Sequence, residues 1–217
     1  MKNWQIKHGK VINDFLQFMN SKTDDYILKG GTALMTCYQL DRFSEDIDLD
    51  SKNKNLIKNI VETFCKQYDY PYRIAKDTDT VKRFMIHYTD GLKPLKIEIS
   101  YRSRNINKND IDKINGISVY KINRLAYMKC NAYNSRDKIR DLYDITFICK
   151  NYYNQLSDDV KGFVCDAFQY KGLEQFDYLI ATQSDELIDN DKLAEDILDV
   201  YDKLGLIAEK DDPDIEL

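Results

Sequence analysis

The feature that most constrains this chain is the pair Gly30-Gly31, set between Leu28-Lys29 and Thr32-Ala33-Leu34 and followed by Arg42-Phe43-Ser44-Glu45-Asp46-Ile47-Asp48-Leu49. Two adjacent residues without a Cβ, after a short apolar run, predict a strand, a tight turn and a helix start capped by Thr32. The second run predicts a strand on which Asp46 and Asp48 share one face, with Ile47 and Leu49 on the other. Backbone N–H groups at such a turn can approach a triphosphate closely, where the helix dipole favours anions. Two adjacent carboxylates repel each other unless a cation sits between them, and a hard, partly hydrated Mg²⁺ ion carried by a triphosphate suits that place. The bland alternative is a plain loop followed by the solvated face of an edge strand.

The string resembles the nucleotidyltransferase superfamily of DNA polymerase β type. Gly-Gly-Thr-Ala-Leu, then Tyr38, then Arg42-Phe-Ser-Glu-Asp-Ile-Asp-Leu, is similar to its AbiEii/AbiGii branch, the nucleotidyltransferase toxins of abortive-infection and toxin–antitoxin systems. The resemblance implies an α+β fold: a polymerase β-like nucleotidyltransferase domain over residues 1–110, with a mixed sheet and flanking helices. A helical bundle over residues 111–217 then forms the other wall of a nucleotide cleft. It also implies nucleotide contacts by Lys29, Gly30, Gly31, Thr32, Arg42 and Ser44, and metal ligation by Asp46 and Asp48.

Composition narrows the setting. No window reaches the eighteen or so unbroken apolar residues of a membrane span, and the chain does not open on a signal-peptide pattern, so a cytoplasmic protein is expected. The five cysteines, Cys37, Cys65, Cys130, Cys149 and Cys165, are scattered without a Cys-x-x-Cys pair and read as reduced core residues. The net charge of −5 hides an asymmetry: residues 1–150 carry 27 basic against 19 acidic side chains, and residues 151–217 carry 5 against 18. A basic front part suits a nucleotide or RNA; solvated helix faces account for the acidic rear equally well.

Along the chain, apolar spacing predicts helices over Trp4–Met19 and Ala33–Leu40. A further helix through Leu56, Ile57, Ile60, Val61, Phe64 and Tyr68 has Asn53 or Asn55 as its cap. Strands are expected at 26–28, 46–50, 72–76, 81–89 and 95–102, with 116–120 a short strand or turn. In 95–102, Glu98 lies on the polar face with Lys96, Ser100 and Arg102. Its position is where polymerase β-type enzymes carry a third acid, so it is the candidate to complete a triad with Asp46 and Asp48; Asp50 and Asp144 are the substitutes. A polar connection at 107–110 marks the boundary. His8 and His87 are isolated and read as surface or satisfied polar residues.

Beyond the boundary the periodicity is helical. Leu125, Ala126, Met128 and Ala132 form an apolar side that carries Lys129, and Arg136, Arg140 and Asp144 follow at i,i+4 spacing. The resemblance extends here: it implies that Lys129 contacts nucleotide phosphates, that Asp144 or Asp141 supports the site, and that Arg136 and Arg140 serve the nucleotide. Further helices are expected from Ser157, over 173–180 and over 187–207, with Asp211-Asp212-Pro213-Asp214 an acidic tail. The expected activity is transfer of a nucleoside monophosphate from an NTP, with two Mg²⁺ ions in the productive complex. The acceptor suggested by the resemblance is tRNA, and a cognate antitoxin is a possible partner. The alternatives are modification of a protein side chain and a nucleotide-binding module without catalysis.

Overall fold

The computed structural model describes residues 2–102 and 106–207, so the acidic 211–214 stretch lies outside the described residues. Two compact units divide the chain, one ending at Leu125 and one beginning at Ala126. The division falls later than residue 110 because residues 111–120, expected to lie past the boundary, join the sheet of the first unit.

The first unit runs α1 (Asn3–Asn20), β1 (Ile27–Lys29), α2 (Gly30–Cys37), β2 (Asp46–Asp50), α3 (Lys54–Gln67), β3 (Tyr72–Asp77), β4 (Val81–Ile86), β5 (Leu95–Ser100), β6 (Ile111–Ile114) and β7 (Ile117–Tyr120). Its seven strands form one sheet in the order β3-β4-β5-β2-β1-β7-β6. The pairs β2·β5 and β1·β7 are parallel and the others antiparallel, giving the mixed sheet of an α+β fold.

One face of this sheet is apolar. Leu28, Ile47, Leu49, Ile97 and Ile99 are completely buried, as are Ile12, Phe15 and Met19 of α1 and Ile57, Val61 and Phe64 of α3. The buried residues of α3, Ile57, Ile60, Val61, Phe64 and Cys65, recur at three and four, the stripe a helix needs to lie on a sheet. Its cap is Asn53, whose side chain accepts from the Leu56 N–H at 3.1 Å. Burial of one such aromatic contributes about 1.5–3 kcal/mol, so this layer fixes the sheet and leaves its other face for polar groups.

Two local expectations are corrected. Thr32 is not a helix cap: α2 begins at Gly30 with Lys29 in the cap position, and the buried Thr32 hydroxyl instead donates to the Asp46 carbonyl. Residues 111–114 are a strand because Asn115 and Gly116 both take positive φ, 51° and 81°, the turn that closes a tight hairpin with β7.

The helix α4 (Ile122–Ser135) leads into the second unit, which holds α5 (Ile139–Tyr152), α6 (Asp158–Thr182) and α7 (Asn190–Lys203). The two helices expected after Ser157 are both present within Asp158–Thr182, separated at Gly172, whose φ of 67° and ψ of 173° are not helical. The central helix is α5, buried without interruption from Asp141 to Cys149. Helix α7 packs on it, with Lys150 paired to Asp196 and to Asp199 at 3.2 Å, and the Tyr201 hydroxyl donates to the Phe168 carbonyl of α6 at 2.9 Å. All five cysteines are free thiols.

Candidate active site

The polar face of the sheet is built by register. Asp48 lies opposite Lys29 of β1 on one side and Glu98 of β5 on the other, and Glu98 lies opposite Arg83 of β4. One rung therefore reads Lys29, Asp48, Glu98, Arg83, with two acids in the middle and a cation at each end. The next rung pairs Asp46 with Lys96. Strand alternation puts Asp46, Asp48 and Asp50 on this face and Ile47 and Leu49 in the core.

The side chains are unequally partnered. Lys96 Nζ stands 2.6 Å from Asp46 Oδ2, and Arg83 holds Glu98 Oε2 from Nε at 2.8 Å and Nη2 at 2.5 Å. Lys29 pairs with Asp50, which also accepts from the Tyr120 hydroxyl at 2.7 Å. Asp48 alone of these four acids has no hydrogen-bond or ion-pair partner among the described residues. Burial raises its pKa above the ordinary carboxylate range; Lys96 opposes this, while Asp46 and Glu98 add to it. Four carboxylates thus face three cations, and the uncompensated negative charge belongs to Asp48.

These oxygen donors suit a hard divalent cation. Among the described residues no three acidic, histidine or cysteine side chains converge as a metal-holding group; Asp46 and Glu98 are engaged by Lys96 and Arg83 instead.

The Gly30-Gly31 turn abuts this face. Gly30 has φ of 74°, and a Cβ placed there would come 2.8 Å from Asp48 Oδ2. A Cβ on Gly31 would meet Ser44 Oγ at 2.8 Å and Arg42 Nη2 at 3.0 Å. Both positions therefore require glycine, one for its conformation and proximity to Asp48, the other for proximity to the 42–44 loop. Buried Arg42 braces that loop by donating to the Phe43 carbonyl at 3.1 Å, and Thr32 Oγ1, whose proton goes to the Asp46 carbonyl, accepts from the Ser44 hydroxyl at 3.0 Å. Turn, loop and first acid are one hydrogen-bonded assembly.

The second unit carries its own constellation. Lys129 Nζ lies 2.5 Å from Asp144 Oδ2 and 3.3 Å from Asp141 Oδ1, with Asp144 fully buried. Arg136 forks onto Asp141 at 2.7 and 3.2 Å. Burial pushes the Asp141 pKa up, but Lys129 and Arg136 outweigh it and leave the pKa below its ordinary value. The i,i+4 spacing of Arg140 and Asp144 suggested a pair, yet Arg140 forks onto Asp185, and Lys129 holds Asp144. Both Asp141 and Asp144 lie within this cluster.

Sequence reading set Lys96 beside Glu98 as a partner and passed over Arg83; the structure gives Lys96 to Asp46 and Arg83 to Glu98. Lys96 and Arg83 occupy alternate polar positions of β5 and β4, visible as strand periodicity but assignable to Asp46 and Glu98 only once the register is known. His8, expected to be a surface or satisfied polar residue, is buried: Nε2 donates to the Glu45 carbonyl at 2.7 Å and Nδ1 meets the Tyr88 hydroxyl at 2.6 Å. It therefore braces the residue just before Asp46, and burial holds its pKa below the usual histidine value. His87 is exposed.

Comparison with known proteins gives the family and the fold. A structure from Helicobacter pylori, JHP933, is similar over 95% of this chain and 94% of its own, at 28% identity and a TM-score of 0.76. A second H. pylori structure matches at 27% identity and a TM-score of 0.74, covering 96% of this chain and 100% of its own. The nucleotidyltransferase toxin MenT4 from Mycobacterium tuberculosis shares the fold at 14% identity and a TM-score of 0.53, over 91% of this chain and 83% of its own. No curated protein matches by sequence. The family model described as nucleotidyl transferase AbiEii toxin, type IV toxin–antitoxin system, matches residues 17–209. The chain belongs to the AbiEii family of nucleotidyltransferase toxins and is a nucleotidyltransferase.

Proposed function

We propose that the protein transfers a nucleoside monophosphate from an NTP to the 3′ end of tRNA, in a reaction that depends on divalent metal held at Asp46, Asp48 and Glu98. The observation that carries this reading is the contact between the Gly30-Gly31 turn and Asp48, 2.8 Å from where a Gly30 Cβ would lie. A phosphate chain seated on the turn is thereby brought beside the carboxylates that hold its counter-ions. When bound, two Mg²⁺ ions supply neutralisation of the α-phosphate and activation of the attacking hydroxyl.

The protein's own groups do the positioning. Backbone N–H groups at Gly30, Gly31 and the start of α2 bind the phosphates, and the lack of Cβ atoms there permits close approach. Thr32 and Ser44 act by locking the turn to the strand that bears Asp46, and Lys29 and Arg42 supply positive potential around the phosphates. Lys129, oriented by Asp141 and Asp144, is a cation suited to phosphate, with Arg136 and Arg140 holding its helical segment in place. The net positive charge of residues 1–150 favours an RNA acceptor. Blocking the 3′ end of tRNA would stop translation, the toxic act that a cognate antitoxin would hold in check. Such a target belongs to the cytoplasm, and among the described residues no helix is long and apolar enough to cross a membrane.

The test is incubation of the purified protein with each α-labelled NTP, Mg²⁺ and total tRNA. Label is expected at the tRNA 3′ end with one preferred NTP. Label on protein and none on RNA would replace this reading with protein nucleotidylation.

A further inference from the structure

The acids expected to hold metal are not free to do so: Asp46 is engaged by Lys96 at 2.6 Å and Glu98 by Arg83 at 2.5 and 2.8 Å. Both pairs lie in register between adjacent strands, so they follow from the backbone and not from chance side-chain placement. Both are also partly solvated: the side chains of Lys96 and Asp46 are 29% and 32% exposed, those of Arg83 and Glu98 37% and 27%. Partly solvated pairs are weak and exchange readily. The acid between them, Asp48, is left without a partner among the described residues.

We propose that Lys96 and Arg83 are resident counter-ions which stand in for divalent metal on the acidic face and move to the phosphates when metal and nucleotide enter. Without metal, the like charges of Asp46, Asp48 and Glu98 would repel across adjacent strands, and the two cations reduce that repulsion without closing the central place at Asp48. A divalent ion arriving at Asp48 competes with Lys96 for Asp46 and with Arg83 for Glu98. The triphosphate brings negative charge to the same face of the sheet, which draws the displaced ammonium and guanidinium toward it. Arginine's planar fork suits phosphate oxygens, so Arg83, whose Nε and Nη2 both meet Glu98 Oε2, can exchange that single oxygen for a phosphate. The two residues therefore oppose metal binding alone and favour binding of metal with nucleotide, which couples the two ligands.

This inference rests on the proposed metal role of Asp46, Asp48 and Glu98, and the experiment separates the two. Binding of Mn²⁺ alone is followed by the loss of free-ion electron paramagnetic resonance signal for wild type, Lys96→Met, Arg83→Met and Asp46→Asn, and each titration is repeated with saturating Mn²⁺ and increasing NTP. Lys96→Met and Arg83→Met are expected to bind Mn²⁺ alone about threefold to tenfold more tightly than wild type and to bind the Mn²⁺–NTP complex about tenfold more weakly. Lys96→Gln and Arg83→Gln, which keep a polar side chain without the charge, should repeat both shifts. A merely structural pair would lower thermal stability and leave Mn²⁺ affinity unchanged, and that result overturns the counter-ion role. Tighter Mn²⁺ with unchanged NTP affinity overturns the transfer to phosphate. Unchanged Mn²⁺ affinity in Asp46→Asn overturns the metal reading itself.

Discussion

Two sets of ion pairs in this protein look alike on paper and are built oppositely. On the sheet of the first unit, Asp46 and Glu98 meet Lys96 and Arg83 in pairs about one-third exposed, beside an acid with no partner. In the helical unit, Lys129 meets Asp141 and Asp144 in a cluster whose carboxylate side chains are 2% and 0% exposed. Water reaches the first set, so its charges can be exchanged for those of a ligand at low cost. The second set has given up its hydration, and removing one member strands the others in a low-dielectric surrounding. In the proposed reaction the acids that serve metal are those in the partly solvated pairs, whose cations can leave, while Asp141 and Asp144 fix Lys129 in a buried cluster.

The largest expected effect breaks the buried set. Asp144→Ala should cost about 3–5 kcal/mol of stability, read by chemical denaturation, because Lys129 loses its 2.5 Å partner inside the core. A loss below 1 kcal/mol would show that the cluster is solvated and that the contrast is false.

The turn that joins nucleotide and acids comes next. Gly30→Ala forces a side chain into φ of 74° and places its Cβ 2.8 Å from Asp48, which should cost about 1–3 kcal/mol and abolish nucleotide binding in calorimetric titration. Retention of wild-type affinity would move the phosphate site away from this turn.

The contrast is sharpened by acid. Asp141 has its pKa depressed in the fold, so its contribution to stability is fully present above its unfolded-state pKa of about 4 and is lost as pH falls through the lower folded value. Wild type should therefore lose stability on acidification below about pH 4 more steeply than Asp141→Asn, compared by thermal melts across that range. Parallel pH profiles would remove the ion-pair account of Asp141. Arg83→Met, in contrast, should change metal-free stability by only about 0.2–1 kcal/mol, since its pair is partly solvated.

The sequence carried the elements of the site further than their partners. Residues 46–50 were legible as a strand because acid and apolar residues alternate, and α3 because its apolar stripe is regular. The α+β class followed from those patterns and from the family resemblance. Strand β6, just after the polar connection at 107–110, was not read as a strand because Asp112 and Lys113 hide its period, and only the positive φ at Asn115 and Gly116 makes it a hairpin arm. Thr32 looked like a cap because threonine before a helical run favours that role; tertiary structure gave its hydroxyl to the Asp46 carbonyl instead. Lys96 and Arg83 could not be matched to their acids, since register between distant strands is not a local property of sequence. The same holds for Arg140 and Asp185, forty-five positions apart, which override an i,i+4 expectation.

In the proposed reaction Asp48, the acid of the sheet without a partner among the described residues, serves transfer and not folding. The direct measurement is transfer of α-labelled NTP by Asp48→Asn, made on protein whose thermal melt is recorded in the same metal-free preparation. The predicted result is no labelled product from a protein that melts at the wild-type temperature or higher, because the substitution removes like-charge repulsion and no partner. Labelled product at the wild-type rate would contradict the claim, and so would a melt lowered by the several degrees that loss of a structural ion pair brings.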